Sequence, residues 1–417
     1  MKPLHIAFFN RAFYPEWSAT GQLLTELAEG LAQDHGCRIS VITGVPQGQQ
    51  AHGWSAPKGW RLITQGQLGK VTILRAKGTR FPKQNLLGRI VNYLTYFGSA
   101  CLAGLQLDHP DVVIALTDPP IIGLAALLAA KRFRCPVVIS YRDIFPEVTR
   151  LIDGFHNPPV EWTLQQVNRI LVAQANRVVA LGEDMRSRLI QEKGVPPQKI
   201  AVIPDWADSA AIAPGPKRNP FSLTHGLADR FVVMHSGNMG VSQDLEALIE
   251  TAAFLKEAPD LLFVLIGDGV KKSSLQAQVE KRRLGNVRFL PYQPKEILSN
   301  VFACADCFII SLKEGMAGYI MPSKIYGILA AGRPYVAAVE EACDVTRITR
   351  QYRCGLLAKP ADAHDLAEKI QTLYRDRALA QRLGENARRA ALVFDRREGV
   401  RAYFNLCCEL TGAPIAS

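Results

Sequence analysis

Short apolar runs of strand length recur along the chain, each followed by a stretch whose apolar residues return with helical period. In the first half, Leu4–Phe9, Arg38–Thr43, Val71–Arg75, Val112–Leu116, Val137–Tyr141, Arg177–Leu181 and Ile200–Ile203 read as strands. Between them Gly21–His35, Pro120–Phe133, Pro159–Ala175 and Glu183–Lys193 read as helices. Such alternation predicts a parallel sheet with helices on both faces. The segment Asp205–Arg230 breaks the rhythm with Pro214, Pro216 and Pro220 among small polar residues. The alternation then restarts. Strands are predicted at Phe231–His235, Leu261–Ile266, Val287–Leu290, Cys307–Ser311 and Tyr335–Ala338, and helices at Asp244–Glu257, Lys271–Leu284, Pro294–Ala303, Ser323–Ala331 and Ala361–Arg375. Ala378–Val393 and Arg396–Leu410 close the chain as helices. The economical reading is two doubly wound α/β domains, 1–205 and 230–395, joined by a linker at 206–229. A ligand is expected in the cleft they face, at the carboxyl ends of the strands.

One helix stands apart. Ile90–Leu107 carries no charge over 18 residues, the lower limit for crossing a bilayer. Asn92, Thr95, Ser99 and Gln106 form a polar seam along it, which argues against a span. It follows a basic approach of Lys70, Arg75, Lys77, Arg80, Lys83 and Arg89. Two readings stay open: a helix buried between layers, or an amphipathic helix on an anionic membrane surface.

The 417 residues are 48% hydrophobic and 21% charged, with a net charge of +11, so disorder is excluded and each half can bury a core. The basic excess suits an anionic substrate, a membrane surface or a solvated basic face. Nucleic acid is disfavoured, because neither zinc-finger spacing, an RNA-binding aromatic signature nor a dense basic block occurs. The amino terminus lacks the pattern of a secretory signal. Nine cysteines without a disulfide or zinc spacing predict free thiols in a reducing cytoplasm.

Four loops at carboxyl ends of strands carry the candidate chemistry. In Asn10–Gln22, Gly21 opens a helix and lets backbone approach a ligand. In Ser140–Glu147, Arg142, Asp143 and Glu147 are three charges beside an apolar run. In His235–Gln243, Gly237 and Gly240 make an exposed-amide loop suited to phosphate, and Gly267-Asp268-Gly269 is a second tight turn. The fourth, Glu314–Pro334, leads through Pro322 and a capping Ser323 to Lys324 on the first turn of a helix, a seat for a pyrophosphate. The dinucleotide fingerprint GxGxxG is absent, which disfavours a NAD enzyme.

ATG before the first helix, RDIFPE, IPDWAD, HSGNMGVSQDLEAL, VRFLPYQP and PSKIYGILAAGRP occur in that order. Together they resemble the family 4 glycosyltransferases of the GT-B fold, in the bacterial surface-polysaccharide branch that includes N-acetylfucosamine transferases. The resemblance implies two Rossmann-like doubly wound domains facing across a cleft, with the final helix, about 396–410, packing back on the first. It implies transfer of a hexosyl or N-acetylhexosaminyl group from a nucleotide sugar, a UDP-sugar, to a glycan or lipid-linked acceptor in polysaccharide synthesis. Retention of configuration also follows from it. The free thiols and the basic approach to Ile90–Leu107 give a cytoplasmic location peripheral to the membrane, and no cofactor or metal is expected. No Asp-x-Asp metal motif is present. Donor-binding residues are expected at Gly21, Gly237, Asn238, Gly240, Gly267, Tyr292, Glu314, Ser323 and Lys324, and catalytic roles at Asp143, Arg142 and Lys324. The chain departs from the family at Asn238 and Gln243, where an Arg and a Lys are common, and at Tyr319 and Gly327, where a glutamate pair is common. Arg142 stands where a histidine is frequent. A non-catalytic nucleotide-sugar-binding partner and a GT-B sugar-nucleotide epimerase remain as alternatives.

Overall fold

Runs dominated by β-branched, aromatic and leucine residues form two sheets whose inner strands are buried on both faces, the expected environment of parallel strands. The computed structural model describes residues 2–16, 18–46, 61–81, 86–153 and 157–414. Trp17 of the first candidate loop and Lys83 of the basic approach lie outside the described residues. Two compact units emerge: 2–147, 157–204 and 396–414 form the first, 148–153 and 205–395 the second.

The strands of the first unit are β1 (His5–Phe9), β2 (Arg38–Gly44), β3 (Ile63–Leu68), β4 (Val71–Ala76), β5 (Val112–Leu116), β6 (Val137–Ser140), β7 (Arg177–Ala180) and β8 (Ile200–Val202). They lie in the order β3-β4-β2-β1-β5-β6-β7-β8. All pair in parallel except β3, which runs antiparallel to β4 through a turn at Gly69 (φ +53°). The sequence reading has no strand there, because ITQGQL is largely polar and exposed on the sheet edge. The helices are α1 (Ala19–Asp34), α2 (Leu86–Leu105), α3 (Ile122–Phe133), α4 (Glu147–Asp153), which from Val148 onward belongs to the second unit, α5 (Pro158–Gln174) and α6 (Glu183–Lys193).

On α2 the polar seam is not a solvent face. Asn92 Oδ1 accepts from the Phe81 amide and the Thr79 hydroxyl, Thr95 Oγ1 accepts from the Thr79 amide, and Ser99 donates to the Lys77 carbonyl. The seam zips the helix to the segment that follows β4. The helix is not buried between layers either, for Leu87, Val91, Leu94, Leu102 and Leu105 form an exposed stripe, Leu87 being 70% exposed. No described helix is long and apolar enough to cross a membrane.

The second unit comprises α7 (Pro220–Thr224), β9 (Phe231–Ser236), α8 (Leu245–Phe254), β10 (Leu261–Ile266), α9 (Lys272–Lys281), β11 (Val287–Leu290), α10 (Leu298–Ala303) and β12 (Cys307–Ser311). It continues with α11 (Lys324–Ala330), β13 (Tyr335–Ala338), α12 (Asp344–Tyr352), β14 (Gly355–Ala358), α13 (Ala363–Arg375) and α14 (Arg377–Ala391). Its six strands are all parallel, in the order β11-β10-β9-β12-β13-β14. The sequence reading lacks β14 and α12. The strand starts on Gly355 and is mostly half-buried on the sheet edge, and the helix carries β-branched Val345, Thr346, Ile348 and Thr349 that mask its period. All nine cysteines are free thiols.

The last helix, Arg396–Thr411, belongs to the first unit and packs on α1. The ring of His35 stacks on Phe404 at 4.1 Å, and the Tyr403 and Ser140 hydroxyls bond at 2.8 Å. Gly30 makes the close approach possible, since a Cβ there would lie 2.7 Å from Val400 Cγ2. Gly30→Val should therefore lower stability by about 1–3 kcal/mol through overpacking. Adding Val400→Ala should restore part of the loss in urea unfolding. Equal stability of the single and double variants would show that this contact does not limit the packing.

Candidate functional site

In the second unit the strand order reverses at β9, which is flanked by β10 and β12. An open parallel sheet has its binding crevice at such a switch point, beyond the carboxyl ends. The residues gathered there come from the loops after β9, β10, β11, β12 and β13.

The first two loops are pressed together backbone to backbone. Gly237 N donates to Ile266 O at 2.9 Å, Met239 N to Asp268 O at 2.8 Å, and Lys271 N to Met239 O at 3.0 Å. Gly267 (φ +141°) and Gly269 (φ +154°) are required by this fit: a Cβ would lie 2.0 Å from Gly237 O and 2.4 Å from Met239 O respectively. The amides expected to be open to a phosphate are thus partly occupied. Those of Gly237 and Met239 hold the neighbouring turn, whereas those of Asn238 and Gly240 have no backbone partner among the described residues. The exposed Asn238 folds its side chain over Gly240 and Gly269. Half-exposed Tyr292 stands beside the same turn, its hydroxyl taking a hydrogen bond from the Asp268 backbone.

Lys324 is the first residue of α11, as the sequence suggests, but its surroundings differ from those of a surface lysine. It is half-buried, and Nζ donates to Gln243 Oε1 at 2.5 Å and approaches His235 Nδ1 at 3.5 Å. His235 is completely buried, and desolvation, reinforced by the Lys324 charge, keeps its imidazole neutral. Burial lowers the Lys324 ammonium to a pKa of about 7. No carboxylate lies within ion-pair distance of it among the described residues. The expected cap fails: Ser323 has helical φ/ψ (−58°, −15°) rather than the extended backbone of an N-cap, and its side chain bonds no helix amide.

Glu314 is exposed at the start of the same loop. Glu340, after β13, was not foreseen. Its carboxylate accepts from the Gly315 and Ala317 amides at 3.1 and 3.2 Å and so holds the turn that leads to Lys324. His235 and Gln243 were likewise missed as partners of Lys324. Only the Gln in place of a common family lysine hinted at it. Gly327 sits on α11 where a Cβ would come 3.1 Å from Phe302 Cε2, so a glutamate would not fit there without repacking.

Arg142, Asp143 and Gly21 belong to the first unit. Arg142 and Asp143 follow β6 in a well-anchored loop. The Arg142 amide donates to Thr117 Oγ1 at 2.9 Å, buried Tyr141 donates to Asn168 Oδ1, and Asn168 Nδ2 donates to Phe145 O. Gly21 does not offer open backbone to a ligand. Its amide donates to Ser18 Oγ at 3.3 Å, and a Cβ would meet that oxygen at 2.9 Å and Glu16 O at 3.1 Å. It lets the loop after β1 close on α1. The structure therefore gathers Gly237, Asn238, Gly240, Gly267, Tyr292 and Lys324 at one end of the second sheet, with Ser323 and Glu314 on the loop into α11.

Two α/β units, the second with glycine loops and a lysine beyond the carboxyl ends of its parallel strands, place the binding crevice of the second unit at its switch point. The family model "Glycosyl transferase 4-like domain" matches residues 19–206, and "Glycosyl transferases group 1" matches 224–390. The chain belongs to the family 4 glycosyltransferases of the GT-B type, related to enzymes of polysaccharide biosynthesis. It is 25% identical over 363 residues to "Putative colanic acid biosynthesis glycosyl transferase WcaI" of Escherichia coli strain K12, covering 84% of this chain and 86% of that one. Over 160 residues it is 33% identical to the N,N'-diacetylbacillosaminyl-diphospho-undecaprenol alpha-1,3-N-acetylgalactosaminyltransferase of Campylobacter jejuni, 38% of this chain and 39% of that one. Among solved structures, Anabaena Alr3699/HepE in complex with UDP and glucose shares the fold, with a TM-score of 0.73 at 18% identity, covering 97% and 99% of the two chains.

The buried ammonium makes stability depend on pH. Between the folded pKa of about 7 and the ordinary lysine value, the unfolded chain holds a proton that the folded chain lacks, so stability rises with pH through that window. Below about 7 the cost of a buried charge is present in full. Lys324→Met should remove it. In urea unfolding of the empty protein, the variant should exceed the parent most at pH 6, the gap closing toward pH 9. A pH-independent gap would reject the depressed pKa.

Proposed function

We propose that this glycosyltransferase moves a hexosyl or N-acetylhexosaminyl group from a UDP-sugar to a lipid-linked glycan acceptor. The reaction retains anomeric configuration and serves cell-surface polysaccharide synthesis at the cytoplasmic face of a membrane. The observation that carries the donor half is the Lys324 ammonium, held at the β9 switch point by neutral partners only. A cation left without a carboxylate is available to a diphosphate. The UDP bound in the Anabaena structure and the diphospho-undecaprenol in the name of the Campylobacter relative support the choice of donor and acceptor.

In the transfer, the bond from the anomeric carbon to the diphosphate oxygen breaks and its electron pair leaves with UDP. A bond from the acceptor hydroxyl oxygen forms, and the hydroxyl proton passes to the departing diphosphate. Lys324 stabilises the charge growing on that phosphate, and the Asn238 and Gly240 amides are the loop donors left to assist. Gly267 shapes the loop, Tyr292 borders it, and Ser323 and Glu314 flank the entry to α11. Asp143 orients the acceptor hydroxyl, and Arg142 is a second cation for the developing charge. A second reading, a chain that binds nucleotide sugar without transferring it, draws on Gly327 and Tyr319, which supply no carboxylate for a ribose.

Acceptor-dependent release of UDP from a panel of UDP-sugars tests the proposal, and binding without release would favour the second reading. Lys324→Ala should lower kcat roughly 10²–10³-fold, the loss expected for one preorganised donor. Lys271→Ala is the control, because Lys271 already pairs with Glu246 at 2.6 Å. Equal damage from both changes would mean that the phosphates lie elsewhere.

The membrane half rests on α2. Its exposed stripe stands beside Lys77, Arg80 and Arg89, a complement to an anionic bilayer. Flotation with phosphatidylglycerol vesicles should be lost on Leu94→Glu with Leu102→Glu and weakened by high salt. Unchanged flotation of that double variant would reject this helix as the contact.

A further inference from the structure

Beside α2, where β1, β2 and β4 end, the first unit holds a pocket of about 300 Å³ lined by Arg11, Thr79, Arg80, Arg89, Tyr93 and Tyr96 among others. Among the described residues no aspartate or glutamate lines it. Arg11 is compensated, pairing with Glu16 at 3.2 Å and Asp118 at 3.3 Å. Arg80 and Arg89 are exposed and have no ion-pair partner among the described residues. Tyr96 is only 3% exposed, yet its hydroxyl has no hydrogen-bond partner among the described residues. A buried hydroxyl without a partner is costly, and burial pushes this phenol far above its ordinary pKa, so it stays a proton donor. Two uncompensated guanidiniums and an unsatisfied donor line the cavity, the nearby Glu16 and Asp118 carboxylates being held by Arg11, and they form the donor set for a phosphate oxygen cluster.

We infer that this pocket binds a phosphate or diphosphate group, and that its occupant is the diphosphate of the acceptor lipid. The identity of the occupant rests on the transferase reading above. The anion chemistry does not. The same helix carries the exposed stripe and the pocket residues Arg89, Asn92, Tyr93 and Tyr96. A lipid chain lying along the stripe would hold its head group within about one helix diameter, 10–12 Å, of the pocket. The acceptor sugar would then be presented at the carboxyl ends of the first sheet, where Arg142 and Asp143 follow β6.

Calorimetric titration with inorganic pyrophosphate tests the pocket directly, in a Lys324→Ala background that disables the donor loops. One site is expected, weakened about tenfold by Tyr96→Phe and at least roughly 30-fold by Arg80→Ala with Arg89→Ala. Lys77→Ala, a charge on the same segment that does not line the pocket, should leave it unaltered. Pyrophosphate binding indifferent to both Tyr96→Phe and the arginine pair would overturn the site. The source is read separately, in the parent background. With a short-chain soluble prenyl-diphosphate sugar, the arginine pair should raise the acceptor KM while kcat and the donor KM hold, and phosphatidylglycerol vesicles should still be bound, though more weakly, through the exposed leucine stripe and Lys77. An unchanged acceptor KM with lost vesicle binding would assign the pocket to a bilayer head group and overturn the acceptor assignment. If no donor supports transfer at all, the pyrophosphate titration still decides the pocket, so the two readings fail independently.

Discussion

The ammonium of Lys324 is surrounded by groups that cannot neutralise it, and the carboxyl end of the second sheet is arranged around that fact. Burying a charge beside neutral partners is unfavourable, and several other cations of the fold meet a carboxylate instead. Arg11 meets Glu16 and Asp118, Lys193 meets Glu147, and Lys217 meets Asp306. At Lys324 the partners are instead a glutamine carbonyl and a neutral imidazole. Both can orient the ammonium, and neither competes for its charge. Burial, with no counter-charge to offset it, brings the pKa to about 7 and leaves the group responsive to an arriving anion.

Orientation of that kind needs a rigid floor, which main-chain packing supplies. His235 is the penultimate residue of β9 and therefore moves only with the sheet. Gln243 is reached through a loop whose backbone is bonded to the turn after β10, and only glycine at positions 267 and 269 lets the two chains approach so closely. Glu340 performs a similar task on the other side, capping the Gly315–Ala317 turn before α11. The ends of β9, β10 and β13 thus fix one side chain, through main-chain pairing of the first two loops and the Glu340 carboxylate on the amides of the third, bonds that a ligand does not have to organise.

Much of this was legible in the sequence, and what was not has a common cause. Apolar runs bounded by turns marked most of the strands, because burial on both faces demands such runs. Polar β3 and half-buried β14, on the edges of their sheets, left no such trace. The loop glycines and Lys324 were visible as residue types at strand ends, but their roles depended on contacts distant in the chain. Gly267 reads as an ordinary turn glycine until Gly237 O is seen 2.0 Å from where its Cβ would be. Ser323 reads as a cap, because local sequence does not reveal that its backbone has already turned helical. On α2 the polar seam was recognised and its direction was not. Periodicity reports that a helix has two faces, while the neighbour that claims each face is a tertiary matter.

The same distinction applies to charge. A net excess of +11 says that cations outnumber carboxylates, not which of them are unemployed. Once the ion pairs are drawn, several basic side chains near the two switch points prove to be part of the scaffold: Arg11 ties the loop after β1 to the loop after β5, and Lys271 ties the start of α9 to Glu246 on α8. Among the cations of the described residues that no carboxylate pairs with are Lys324 at the end of the second sheet, and Arg80 with Arg89 beside the pocket of the first. Cations that perform no structural neutralisation carry a standing electrostatic cost, whether from burial or from mutual repulsion. An anionic ligand relieves that cost at the moment of binding, so part of the attraction for a diphosphate is already stored in the folded, empty protein.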